Sequence, residues 1–107
     1  MKTYRVALTE DALRDLEELR DYIQYHLRNP IAARSYVHAL RQDLKRLMLF
    51  PERHPFYEEE PWRSRGVRFV PIKNHVAYYI MDESAKQVVV IAVIYSRRDQ
   101  RAAMGGR

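Results

Sequence analysis

The sequence predicts an α+β domain in the order β-α-α-β-β-β, with a helical hairpin packed on a small, mostly antiparallel sheet. Three observations predict it. Two successive apolar stripes run at helical spacing, a Val/Ile-rich run near the C-terminal end is apolar on both faces, and prolines and turn residues punctuate the chain between them. The 107 residues suffice for one compact domain and are too few for two. Residues 1–96 form that domain. Residues 97–107 read as a basic tail with little to bury, and so as a flexible one.

Tyr4–Leu8 is a short β-prone run. Thr9 then offers a helix N-cap, and Glu10 and Asp11 fill a first turn where the helix dipole favours carboxylates. The first stripe is Ala12, Leu16, Leu19, Ile23 and Leu27, with charged residues opposite. Asn29-Pro30 ends this helix and starts the next, because asparagine caps well and proline lacks only an N–H that would be unpaired at that position. The second stripe is Ala33, Tyr36/Val37, Leu40, Leu44, Leu47 and Met48, and Phe50-Pro51 closes it. Residues 51–62 hold three of the five prolines and three consecutive glutamates, an irregular connection in which Trp62 reads as a core anchor. Val67–Val70 is β-prone, and Pro71 demotes that strand to an edge or a bulge. Lys73-Asn74 reads as a turn, His75–Met81 as a strand and Asp82–Lys86 as a polar turn. Gln87–Tyr95 is apolar on both sides, as in a central strand covered twice.

The charge is uneven. Residues 1–62 carry ten Lys/Arg and eleven Asp/Glu, whereas residues 63–107 carry nine and three, giving a basic half with a net charge of +6. This suits an anionic partner such as RNA, DNA or an acidic peptide, and equally an ordinary solvated surface. With no cysteine, disulfides and thiolate metal sites are excluded. His26, His38 and His54 lack ligand spacing, so neither a metal nor a cofactor is expected. The longest apolar run, Val88–Tyr95, is far short of the ~20 residues that cross a bilayer, and Met1–Arg5 opens no secretory apolar core. The expectation is a cytoplasmic protein with no membrane partner.

Three segments carry a resemblance. They are LTEDALRDLEELRDYI (Leu8–Ile23), VPIKNHVAYYIMDE (Val70–Glu83) and VVVIAVIYSRRD (Val88–Asp99). In this order and spacing they resemble the first helix, the β-hairpin and the last strand of the RelE/ParE superfamily of type II toxins. The resemblance implies a growth-arresting toxin, of the kind associated with plasmid stabilisation, neutralised by an antitoxin encoded beside it. Promoter DNA would be a partner only indirectly, through that antitoxin. Two targets occur in the superfamily: ParE-like members poison DNA gyrase, and RelE-like members cut mRNA on the ribosome.

Aligning the aromatic pair Tyr78-Tyr79 with the family's puts Val76 where the nucleases carry an arginine, and valine can neither donate nor hold charge. The resemblance is therefore closer to ParE-like gyrase poisons. The alternatives are a RelE-like ribosome-dependent endonuclease and a degenerate module that only binds its antitoxin. No catalytic residue is assigned. His75 is weighed as a general base, but solvation at the turn edge is the favoured reading. The residues expected to bind the target are Arg97, Arg98 and Arg101 after the last strand, Arg63 and Arg65 before the second, and Tyr95. Guanidinium groups can hold phosphate or carboxylate bidentately, and the last strand turns abruptly from apolar to basic. Tyr78 and Tyr79 are read as packing residues, and Glu58–Glu60 as a solvated loop.

Overall fold

The computed structural model describes residues 3–107; Met1 and Lys2, part of the N-terminal reading above, lie outside the described residues. Its elements are β1 (Arg5–Leu8), α1 (Glu10–Asp21), α2 (Pro30–Lys45), β2 (Arg68–Ile72), β3 (His75–Asp82), β4 (Gln87–Tyr95) and a short α3 (Gln100–Met104). The sheet order is β1-β4-β3-β2. β1 runs parallel to β4, and the other two pairings are antiparallel. The α+β expectation of a helical hairpin on a mostly antiparallel sheet is met, with α3 added.

The local signals act where expected. The Thr9 side chain accepts the Ala12 N–H, and the Asn29 side chain accepts the Ala32 N–H with Pro30 as the first helical residue. Each cap satisfies a backbone donor that the helix cannot, an effect of about 1 kcal/mol. α1 continues into a π-helical turn at Tyr22–His26, and Arg28, with φ of +52°, reverses the chain into α2. β2 is an edge strand and contains Pro71. The two-residue turn Lys73-Asn74, with Lys73 at φ +54°, joins it to β3.

β4 is central and covered on both faces. On the helical face Leu16, Leu40, Leu44, Ala77, Tyr79, Val88, Val90 and Val93 form the main core. On the opposite face Trp62, Val67, Tyr78, Ala92, Ile94 and Met104 form a second cluster, with Val76 and Ile80 packed against it. A register shift in the β3–β4 pairing at Tyr78/Tyr79 lets Ile91 and Ala92 both join the second cluster. Trp62 is the anchor its position suggested. Tyr78 and Tyr79 are buried outright, and each spends its hydroxyl inside: Tyr78 donates to Gln100 Oε1 at 2.7 Å and Tyr79 to the Pro51 carbonyl.

The segment after Arg97 has more to bury than its composition suggested. Asp99 caps α3 by accepting the Ala102 N–H, and α3 places Met104, fully buried, on the second face of the sheet. An apolar sheet face of this size needs a cover, and residues 97–107 supply part of it. Removing most of the Met104 side chain should therefore cost about 2–5 kcal/mol, the range for a buried Met→Ala change. A urea midpoint for Met104→Ala close to that of the unaltered protein would show that α3 is dispensable.

Candidate functional site

An open groove of about 580 Å³ lies between the helical hairpin and the end of the sheet where β3 begins and β4 stops. α1 contributes Asp15 and Leu19, the turn after it Tyr22 and Ile23, and α2 Tyr36. The sheet contributes His75, Val93 and Tyr95, and Arg98 follows β4. Strand alternation decides which β3 residues reach it. His75, Ala77 and Tyr79 face the helices, while Val76, Tyr78 and Ile80 face the second cluster.

His75 is 5% exposed, so the reading of a solvated turn-edge histidine is corrected. The residue opposes Tyr95 in the ladder, and the two rings meet edge-on with centroids 5.7 Å apart. The Tyr36 hydroxyl lies 3.1 Å from His75 Nδ1. Among the described residues no buried side-chain polar atom lacks a partner. His75 bonds only at Nδ1, so its Nε2 is the nitrogen that reaches solvent, in the groove. Burial lowers the His75 pKa, and the Asp15 charge opposes that shift.

Asp15 exists in this role because β1 is short. β1 accompanies β4 only as far as Leu8 opposite Val90, which leaves the outer edge of β4 unpaired beyond that point. Asp15 reaches down from α1 and accepts the Val93 N–H at 2.9 Å. Arg107 then clamps both carboxylate oxygens, at 2.6 and 2.9 Å. The sequence gives one clue to this arrangement, an acid on the sheet-facing side of α1; its partner, 92 residues away, carries no local signal.

The six expected binding residues do not form one patch. Tyr95, 42% exposed, and Arg98 meet at the groove. Arg97 is exposed in the turn after β4. The others belong to the opposite face. Arg63 pairs with Glu58 at 3.6 Å and stacks on Phe56, Arg101 pairs with Glu59 at 3.7 Å, and Arg65 donates to the Arg107 carbonyl at 2.8 Å. The glutamate loop, expected to be solvated, thus meets arginines, although these exposed pairs contribute at most about 1 kcal/mol each. Arg63 and Arg65 lie in the turn that precedes β2. Arg97 and Arg98 make no ion pair among the described residues.

The family model for the ParE toxin of type II toxin–antitoxin systems matches residues 6–100. A comparison with curated proteins finds no match by sequence. Among solved structures, the chain is similar to a protein of the chromosomal ParDE system from P. aeruginosa, with TM-score 0.71 and 18% identity over 89% of this chain and 98% of that one. It is also similar to a chain of the RelBE2 toxin–antitoxin complex from Mycobacterium tuberculosis, with TM-score 0.62 and 22% identity over 89% and 93%. A chain of the intact E. coli RelBE complex gives TM-score 0.54 and 15% identity over 89% and 99%. At these identities the structural likenesses establish the fold.

The buried imidazole has a measurable consequence. His75 and His54 both have lowered pKa values, chiefly from burial, so each binds a proton more readily when the chain is unfolded. Their stabilising effect is complete above an unfolded value of about 6.5 and is lost as pH falls from there through the lowered folded values. Asp82, also lowered, acts in the same sense but only in the acid range below its ordinary 3.8. The urea midpoint should therefore fall between pH 7 and pH 5. His75→Gln, which keeps a group that Tyr36 can bond, should flatten that fall, and an unchanged slope would assign the effect to His54.

Proposed function

Because the chain belongs to the ParE toxin family of type II toxin–antitoxin systems, we propose that it arrests growth by poisoning DNA gyrase and is neutralised in the cytoplasm by a cognate antitoxin. The observation that carries the choice of target is the setting of Val76. At this position the ribosome-dependent nucleases that the sequence resembles carry an arginine. Here the side chain packs against a cluster made by Trp62, Tyr78, Ile94 and Met104. That face of the sheet is filled with apolar side chains and offers no cation on β3 to hold a phosphorane.

One observation favours the second reading, a ribosome-dependent mRNA endonuclease. His75 Nε2 opens to a groove that also holds Tyr95 and Arg98. An imidazole, a phenol and a guanidinium are groups that could move protons and hold charge around a phosphodiester. These groups lie on the helical side of the sheet, away from the Val76 face. Two assays separate the readings: gyrase-mediated DNA cleavage by the purified protein, and mapping of mRNA 5′ ends during translation. Cuts within codons, with gyrase supercoiling intact, would reject the gyrase reading. Silence in both assays would leave a module that only binds its antitoxin.

Arg97 and Arg98 are the target-binding residues on this reading. Both are exposed and unpaired among the described residues, so Arg97→Ala with Arg98→Ala should leave stability within about 0.5 kcal/mol. The double variant should nevertheless relieve growth arrest, since alanine cannot replace charge-assisted guanidinium contacts. Full toxicity at matched expression would assign these arginines to plain surface charge.

A further inference from the structure

The groove combines an apolar lining with one cationic end, and the residues at that end are already arranged for a particular kind of contact. Tyr36 engages His75 at Nδ1, 3.1 Å away. When Tyr36 donates in that contact, the ring proton sits on Nε2 and presents an N–H to the groove. Arg98 follows three residues after Tyr95, whose ring packs edge-on against His75. Its backbone N–H bonds to the Tyr95 carbonyl at 3.0 Å, which fixes the turn, while its guanidinium is exposed and unpaired among the described residues. Asp15, one of the groove's two acids, does not compete for that guanidinium, because Arg107 occupies both its oxygens and Val93 donates to one of them. Glu18, the groove's other acid, stands exposed on α1 and makes no ion pair among the described residues. Beside this cationic end, Leu19, Ile23 and Val93 line the groove with apolar surface.

We propose that the His75–Arg98 end of the groove is a carboxylate seat for the antitoxin: an Asp or Glu side chain of that partner pairs with Arg98 and accepts the His75 Nε2–H, while a neighbouring apolar side chain settles against Leu19, Ile23 and Val93. The inference rests on the reading of the chain as a toxin held by an antitoxin. Charge complementarity selects the occupant. An unpaired guanidinium and an imidazole nitrogen that opens to the same groove together match a carboxylate, and the adjoining lining matches the apolar face of an amphipathic helix. Neutralisation follows directly, because the antitoxin occupies a cation that the target also needs.

The test uses the intact toxin and the purified product of the adjacent small reading frame, with affinity measured by calorimetry. Arg98→Glu should weaken binding by at least about tenfold, as expected when one member of a charge-assisted contact is reversed. His75→Gln should weaken it several-fold. Arg5→Glu, at the opposite end of β4, should leave affinity within about twofold. Urea midpoints measured beside the affinities guard against misfolding, and Arg98, being exposed, keeps the test valid if His75→Gln unfolds the chain. Wild-type affinity for the Arg98 variant, or equal losses for the Arg5 and Arg98 variants, would overturn the seat while leaving the toxin reading intact. Failure of the unaltered toxin to bind the neighbouring protein at all would overturn both.

Discussion

β4 is apolar on both of its faces, and the rest of the domain is arranged to keep water from each. Val88, Val90 and Val93 need one cover, and Ala92 and Ile94 need another. An antiparallel sheet can leave one face wet if that face is polar; this sheet cannot. The helical hairpin supplies the first cover through Leu16, Leu40 and Leu44. The second is assembled from pieces: Trp62 and Val67 from the connection before β2, and Met104 from α3. Burying a large apolar side chain is worth about 1.5–3 kcal/mol, enough to explain why a short, basic segment with two glycines is drawn onto the sheet.

Double coverage also divides the functional surface. The second face is spent on packing, so its arginines sit at a rim and meet Glu58 and Glu59. The helical face is not fully closed, because a groove remains between the hairpin and the end of the sheet where β4 stops. The outer edge of β4 is unpaired there, and Asp15 takes the Val93 N–H in place of a strand. The short β1 is thus the reason that a carboxylate from α1 bonds to the sheet edge here. His75, Tyr36 and Tyr95 gather where the ladder runs out of neighbours.

Much of this was legible in the residues. The caps Thr9 and Asn29, the stops at Asn29-Pro30 and Phe50-Pro51, the edge position of the Pro71 strand and the central position of β4 all follow from local chemistry or from alternation. The site was legible only in part. Arg98 and Tyr95 stand at the groove, but Arg63, Arg65 and Arg101 belong to the other face, because the segment before β2 is a turn that crosses beneath the sheet. Alternation puts His75 opposite Val76; that this face would be roofed by Tyr36 depends on where the hairpin docks, which no local pattern encodes. The Met104 anchor was hidden by its neighbours, since a single apolar residue among arginines and glycines gives no periodic signal.

The pairing of β1 with β4 joins residues 5–8 to residues 87–90, so the oldest strand on the ribosome must wait for almost the newest. The two helices of the hairpin between them also pack on each other through local contacts that can form early, whereas closing a loop of about 80 residues delays the sheet. Chains emerge at roughly 5–20 residues per second, so for several seconds a nascent chain has its helices but neither its groove nor the strand end that carries Arg97 and Arg98. The surface that carries these two arginines is thus among the last parts of the domain to take shape.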